Sequence, residues 1–125
     1  PNKWLPAESD YKAHQAFLEE LRSIPDPILL PYAPYDLVQA GKDPSFSLIC
    51  LWDIDYERGP YHYFVDEVEN SLKQGHWAAI ITINDDMAYG LKKYYHRDHD
   101  LKHRPPDTVV GWEVQLKQVW VYGEK

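Results

Sequence analysis

The sequence has a single cysteine, no long apolar run and more acidic than basic residues. Cys50 has no partner for a disulfide within the chain, and one cysteine does not identify the compartment. No segment approaches the ~20 consecutive apolar residues of a transmembrane helix, and the first residues lack the pattern of a signal peptide. The formal net charge is −7. Because duplex nucleic acids require basic surfaces that neutralise phosphates, we expect no nucleic-acid partner.

The recognised catalytic motifs are also missing. The chain has no Gly-x-Ser-x-Gly motif, no cysteine close in sequence to a histidine, and no glycine-rich phosphate loop ahead of a helix. We therefore predict no catalytic residue, no metal ion and no cofactor for this chain taken alone. Cys50 lies in the apolar run 47–52. We interpret it as a small buried hydrophobe, and a reactive thiol is the alternative.

The composition is that of one globular domain with a large share of aromatic residues. A chain of 125 residues with 44% hydrophobic and 26% charged residues can bury a core of its own. It contains 10 tyrosines and 5 tryptophans. Two interpretations stay open. The aromatic side chains fill a half-polar core and reach water or backbone with their polar tips, or they form a surface on which sugars or other ring-bearing ligands stack.

Hydrophobic periodicity predicts alternating helices and strands. Helices are predicted at 7–24 and 61–74, with a helical turn at 37–40 and a helix after 84–86 that ends near Tyr95. Strands are predicted at 28–30, 46–54 and 77–83, followed by a polar loop at 96–107 and two closing strands within 108–122. The predicted apolar face of the first helix contains Tyr11, His14, Phe17, Leu18, Leu21 and Ile24.

This order of elements predicts the fold class. The run 77–83 is continuous and apolar, which is typical of a central strand buried on both faces. We expect one α/β domain over residues 1–125. It should be a layered α/β sandwich with a mostly parallel inner sheet and a C-terminal antiparallel hairpin.

Ligands of open α/β sheets collect at the carboxyl ends of the strands. This rule selects the loop after the first strand, with Tyr32, Tyr35 and Asp36, and the loop after 77–83, with Asp85. Asp85 also suits a simple helix cap, because free amides at a helix N-terminus stabilise a carboxylate. With Asp53, described next, these residues are the predicted ligand-binding positions.

Asp53, Asp55 and Glu57 alternate on a predicted acidic loop. Alternating carboxylates can hold a divalent cation, and a carboxylate pair can act on a glycosidic bond. The stretch lacks the longer oxygen series and the glycine of a calcium loop. A solvated acidic loop explains it without a ligand.

His96, His99 and His103 have spacings that would place their rings on one face of a helix. Imidazole rings so placed suit zinc. The neighbouring Arg97 and Lys102 would repel a cation, and prolines follow the segment. A solvated polar loop is the alternative that we prefer.

A series of short motifs resembles a known family. The series consists of a helix that ends near Ile24, the segments 28–32 and 37–42, Asp53 and a following helix, the strand 77–83, and a helix that ends at Tyr94 and Tyr95. It is similar to the soluble C-terminal domain of bacterial polytopic membrane glycosyltransferases of the protein-mannosyltransferase-like class. The chain opens on Pro1 rather than methionine, and we expect it to be part of such a longer protein.

The resemblance implies a function for the parent protein. The family transfers a sugar from a polyprenyl-phosphate donor at the extracytoplasmic face of the cytoplasmic membrane. Its catalytic acid lies in a loop near the start of the membrane portion, so no residue of this chain inherits a catalytic role. The domain would be an accessory, acceptor-side tail whose partners are the membrane portion of the same polypeptide and a sugar or glycan acceptor. The alternatives are a free-standing carbohydrate- or protein-binding module and a small metal-dependent hydrolase.

Overall fold

The computed structural model describes residues 5–47, 50, 60, 63–83, 87, 89–106 and 115–125. The helices in these ranges are α1 (Glu8–Ser23), α2 (Pro34–Gln39), α3 (Tyr63–Lys73) and α4 (Leu91–Tyr94). The strands are β1 (Ile28–Leu29), β2 (Ala79–Thr82), β3 (Tyr95–Asp100) and β4 (Gln118–Tyr122). Within the described ranges, no helix is both long and apolar enough to span a bilayer.

The four strands form one mixed sheet in the order β1-β2-β4-β3. β1 runs parallel to β2, whereas β4 is antiparallel to both β2 and β3. The α/β class is therefore confirmed, but the expectation of a mostly parallel sheet is wrong. β2 and β3 run in the same direction but are not neighbours, because β4 lies between them and runs the opposite way. Two of the three strand pairs are therefore antiparallel.

The strand β3 was not predicted from the sequence. Its residues were expected to end a helix at Tyr95 and to continue as a polar loop, and that prediction is wrong. Tyr95 is the only buried residue of the strand, and the register shifts between Arg97 and His99. A polar edge strand with a bulge carries no apolar alternation from which it could be predicted.

In the described residues, β4 pairs antiparallel with β3, and the first of the two closing strands predicted within 108–122 is not among them. β4 lies in the second half of that predicted range, and residues 107–114 are outside the described residues. The strand predicted at 46–54 has no regular structure at Phe46 and Ser47. The rest of it, apart from Cys50, is also outside the described residues.

α1 follows the predicted helix within one residue at each end. The carboxylate of Asp10 accepts the backbone amide of Ala7 at 2.7 Å and caps the first turn. The helix ends ahead of Pro25, as the steric restriction on the residue before a proline requires. Phe17, Leu18 and Leu21 are buried, but Tyr11 is 60% exposed. The prediction that Tyr11 belongs to the apolar face is therefore wrong.

β2 is an inner strand of the sheet and is buried, as predicted. Its residues are all buried, and the three apolar ones alternate between two apolar clusters. Ala79 and Ile81 pack with residues of α1 and α2, whereas Ile80 packs with residues of α3. The strand is therefore buried on both faces, with helices against each.

The apolar face predicted for α3 is confirmed in the described residues except at Phe64, which is 37% exposed. The helix ends two residues before Gly75. Val65, Val68 and Leu72 are buried. Gly75 has a φ of +66°, a left-handed conformation that glycine adopts without strain. The turn after α3 leads directly into Trp77 and β2.

Candidate ligand-binding cleft

The predicted ligand-binding residues of the first loop lie on and before α2. Tyr35 is 69% exposed. Tyr32 is half-buried and packs against both core clusters. Asp36 is half-buried in the first turn of α2. The three residues are thus near one another along the chain, but they have different environments.

The environment of Asp36 shifts the pKa of its carboxyl group. Burial of the carboxyl group raises its pKa, and the charge of the nearby His14 opposes the shift. The His14 ring is hydrogen-bonded through Nε2 to Oε1 of Gln39 at 2.9 Å. Asp36 is therefore a carboxyl group that loses solvation on folding.

The other predicted positions are two carboxylate groups and the histidine series. Asp53 and Asp85 lie outside the described residues, as do Asp55 and Glu57. The three histidines are dispersed. His96 Nδ1 is 2.7 Å from the carbonyl oxygen of Gly123, and His99 Nδ1 is 2.7 Å from Oδ2 of Asp98. Among the described residues, no group of three or more His, Cys, Asp or Glu side chains is arranged to hold a metal ion.

A cleft of about 380 Å³ lies elsewhere, between α3 and the segments that precede it and follow it. Its described lining residues combine aromatic rings with a few polar groups: Phe46, Ser47, Cys50, Phe64, Glu67, Val68, Ser71, His76 and Trp77. We call it the aromatic cleft. Ligand sites in proteins commonly have this mixture of apolar walls and few polar groups.

One face of α3 forms a wall of the aromatic cleft. Phe64, Glu67, Val68 and Ser71 all line it, and their spacing places them on one side of a helix. Phe64 is 37% exposed, and its ring lies 4.2 Å from the ring of Tyr63. The helix therefore presents an accessible ring and a carboxylate to the same space.

Trp77 also lines the cleft and contacts two further rings. Its ring centroid is 6.2 Å from that of Phe46 and 4.8 Å from that of His76, both in edge-to-face geometry. The indole Nε1 donates a hydrogen bond to Oγ of Ser71 at 2.9 Å. Such edge contacts stabilise aromatic pairs beyond simple burial.

Cys50 is exposed and lines the aromatic cleft. The interpretation of Cys50 as a buried hydrophobe is therefore wrong. The thiol shares the cleft with His76, which lies 26 positions later in the sequence, so no local motif could have paired them. The lone cysteine of the chain is thus an accessible chemical probe inside the cleft.

A second, polar groove lies between α1 and a segment that comprises the end of β3 and the residues after it. Its volume is about 460 Å³, and Glu19, Glu20, His99, Lys102 and His103 are among its lining residues. Both carboxylate oxygens of Glu20 accept backbone amides from this segment. Glu20 therefore joins two parts of the fold.

The aromatic cleft was not predicted from the sequence. Periodicity predicted a helix at 61–74 with Phe64 and Val68 on its apolar face, and both residues line the cleft, but no ligand was assigned to that face. Comparison of the chain with protein-family models, with curated proteins and with solved structures finds no match in any of the three.

Proposed function

We propose that this chain is a binding domain without catalytic activity of its own, and that it holds an uncharged sugar ring in the aromatic cleft. The observation that carries the proposal is the lining of that cleft. Aromatic rings of Phe46, Phe64 and Trp77 line it together with the polar side chains of Glu67 and His76.

A sugar ring suits this lining for a chemical reason. The C–H groups of a pyranose form an apolar face that packs against an aromatic ring, while its hydroxyls need hydrogen-bond partners at the edge. Trp77 and Phe64 supply rings, and Glu67 and His76 supply exposed acceptors and donors. Glu67 is the only acidic or basic residue other than His76 among the described lining residues. The cleft therefore offers no described lysine or arginine to an anionic ligand.

The proposed setting is the extracytoplasmic, acceptor-side tail of a membrane glycosyltransferase that uses a polyprenyl-phosphate sugar donor. It rests on the sequence resemblance, which implies that the membrane portion of the same polypeptide is a partner and that the sugar is a glycan acceptor. The proposal includes the layered α/β sandwich that is expected of such a domain. The core clusters on both faces of β2 support that arrangement.

The test uses binding and thiol protection together. Maltose, cellobiose and α-1,6-mannobiose are titrated into the protein by calorimetry, and the alkylation rate of Cys50 by N-ethylmaleimide is measured with and without each sugar. We expect saturable binding of at least one sugar, and slower alkylation at the same concentrations, because Cys50 lines the cleft.

Two variants locate the binding site. Phe64→Ala removes a ring of the cleft and should weaken binding about five- to tenfold. Tyr11→Ala removes a 60% exposed ring from α1 and should leave the affinity unchanged. If no sugar binds, or if binding leaves the alkylation of Cys50 unaltered, the proposed function is wrong.

A further inference from the structure

Tyr95 holds the backbone of Trp77 from inside the fold. Its hydroxyl accepts the amide of Trp77 at 3.2 Å and donates to the carbonyl oxygen of the same residue at 2.9 Å. The Tyr95 side chain is 3% exposed. Burial raises the pKa of its phenol, so the hydroxyl keeps the proton that it donates. One side chain thus satisfies both backbone groups of a cleft residue.

The indole of Trp77 is held independently. Its Nε1 donates to Oγ of Ser71 at 2.9 Å, and that hydroxyl donates in turn to the carbonyl oxygen of Val68 at 2.6 Å. The single proton of Ser71 is therefore committed to α3, and its oxygen is left to accept the indole. Backbone and ring of Trp77 are each fixed by protein groups.

The neighbour of Tyr95 makes a similar bond to a different residue. Tyr122 is the register partner of Tyr95 across β3 and β4, and their rings meet edge-to-face at 5.4 Å. The Tyr122 hydroxyl donates to the carbonyl oxygen of Lys73 at 3.0 Å. Tyr122 thus binds the end of α3, whereas the two hydroxyl bonds to Trp77 described above are made by Tyr95.

We propose that Tyr95 is a positioning residue of the aromatic cleft: it fixes the backbone of Trp77, so that the indole reaches Ser71 and is ordered before the ligand arrives. This inference rests on the proposed function, since it concerns the affinity of the same cleft. A side chain that must be ordered on binding lowers affinity, and a preordered one does not. Tyr95 lines no part of the cleft itself and acts only through Trp77.

The experiment compares two single-hydroxyl deletions. Tyr95→Phe keeps the ring and removes both bonds to Trp77, whereas Tyr122→Phe keeps the ring and removes the bond to Lys73. We measure the Kd for the best-binding sugar of the neutral panel, together with the Trp77 indole N–H resonance of the ligand-free protein, assigned with Trp77→Phe. Melting temperatures of both variants show how far each deletion affects the fold.

Tyr95→Phe should weaken sugar binding about three- to tenfold and shift or broaden the Trp77 indole resonance, while Tyr122→Phe changes neither. Equal effects of the two variants, or an unaltered indole resonance in Tyr95→Phe, would overturn the inference. If the wild-type protein binds none of the sugars, the proposed function fails. The indole resonance then decides by itself whether Tyr95 positions Trp77.

Discussion

The carboxylate of Glu20 accepts the backbone amide of His103 at 2.7 Å, across 83 positions of the sequence. Its other oxygen accepts the amide of Lys102 at 3.0 Å. α1 is thereby joined to the segment that leaves β3. Because β3 is a largely polar edge strand, few apolar contacts are available to hold its end in place.

Glu20→Ala should therefore destabilise the protein. It removes two hydrogen bonds from exposed amides that water can then solvate, and at the net value of such bonds we expect a loss of about 1–3 kcal/mol in the free energy of unfolding. Urea denaturation followed by circular dichroism measures it. The adjacent, exposed Glu19 gives the control: Glu19→Ala removes the same charge and should change stability by less than about 0.5 kcal/mol. Equal losses in both variants would mean that only charge matters at this position.

Gly75→Ala should destabilise the protein by more than the cost of placing alanine in a left-handed conformation. A Cβ at Gly75 would lie 2.8 Å from the ring of Tyr122, and the φ of +66° is itself unfavourable for alanine. Gly41 has a similar φ of +77°, with open space around its would-be Cβ. We expect Gly41→Ala to cost about 1 kcal/mol and Gly75→Ala about 1–3 kcal/mol more, through displacement of a packed ring. Thermal unfolding of both variants gives the difference, and equal costs would contradict the clash.

The apolar periodicity of α1, α3 and β2 made these elements predictable. Each buries a stripe or a face against the core, so its pattern of hydrophobic residues carries the signal. β3 has no such pattern of hydrophobic residues, because only Tyr95 of its six residues is buried. Local patterns cannot reveal an edge strand whose place is set by pairing with β4.

The aromatic cleft escaped prediction for a different reason. The rule of strand ends assumes a largely parallel sheet, and this sheet has one parallel pair. The cleft is lined by one face of α3, by residues around Phe46 and by the turn at Trp77. Those segments meet only in the folded chain, so neither spacing nor composition indicated that Cys50 and His76 share a space.

Tyr11 and Leu21 should respond in opposite ways to truncation, although periodicity placed both on one face of α1. Leu21 is fully buried and Tyr11 is 60% exposed. Leu21→Ala should cost about 2–5 kcal/mol, and Tyr11→Ala less than about 0.5 kcal/mol. Urea denaturation of the two variants checks this contrast. A large loss in Tyr11→Ala would show that the tyrosine is buried in solution.

Asp36→Asn should stabilise the protein at neutral pH and lose that advantage in acid. Burial raises the pKa of Asp36 above its ordinary value of 3.8, so the folded state binds the proton more tightly than the unfolded state. The contribution of Asp36 to stability is therefore fully present below pH 3.8 and is lost as the pH rises through the folded-state pKa. Asparagine does not titrate. The stability of the variant relative to the wild type should consequently rise over that interval and stay constant above it.

Urea denaturation of the two proteins at a series of pH values from 3.5 to 7, about half a unit apart, measures this difference. The exposed Asp43 supplies the control, since Asp43→Asn removes one negative charge without removing a desolvated group. The protonated carboxyl and the amide are nearly isosteric, so packing around α2 is preserved and the comparison isolates the charge. A difference that is independent of pH would mean that the Asp36 carboxylate is as well stabilised in the folded protein as in water. If the stability advantage of Asp36→Asn over the wild type instead grew as the pH fell, the pKa of Asp36 would be lowered on folding rather than raised.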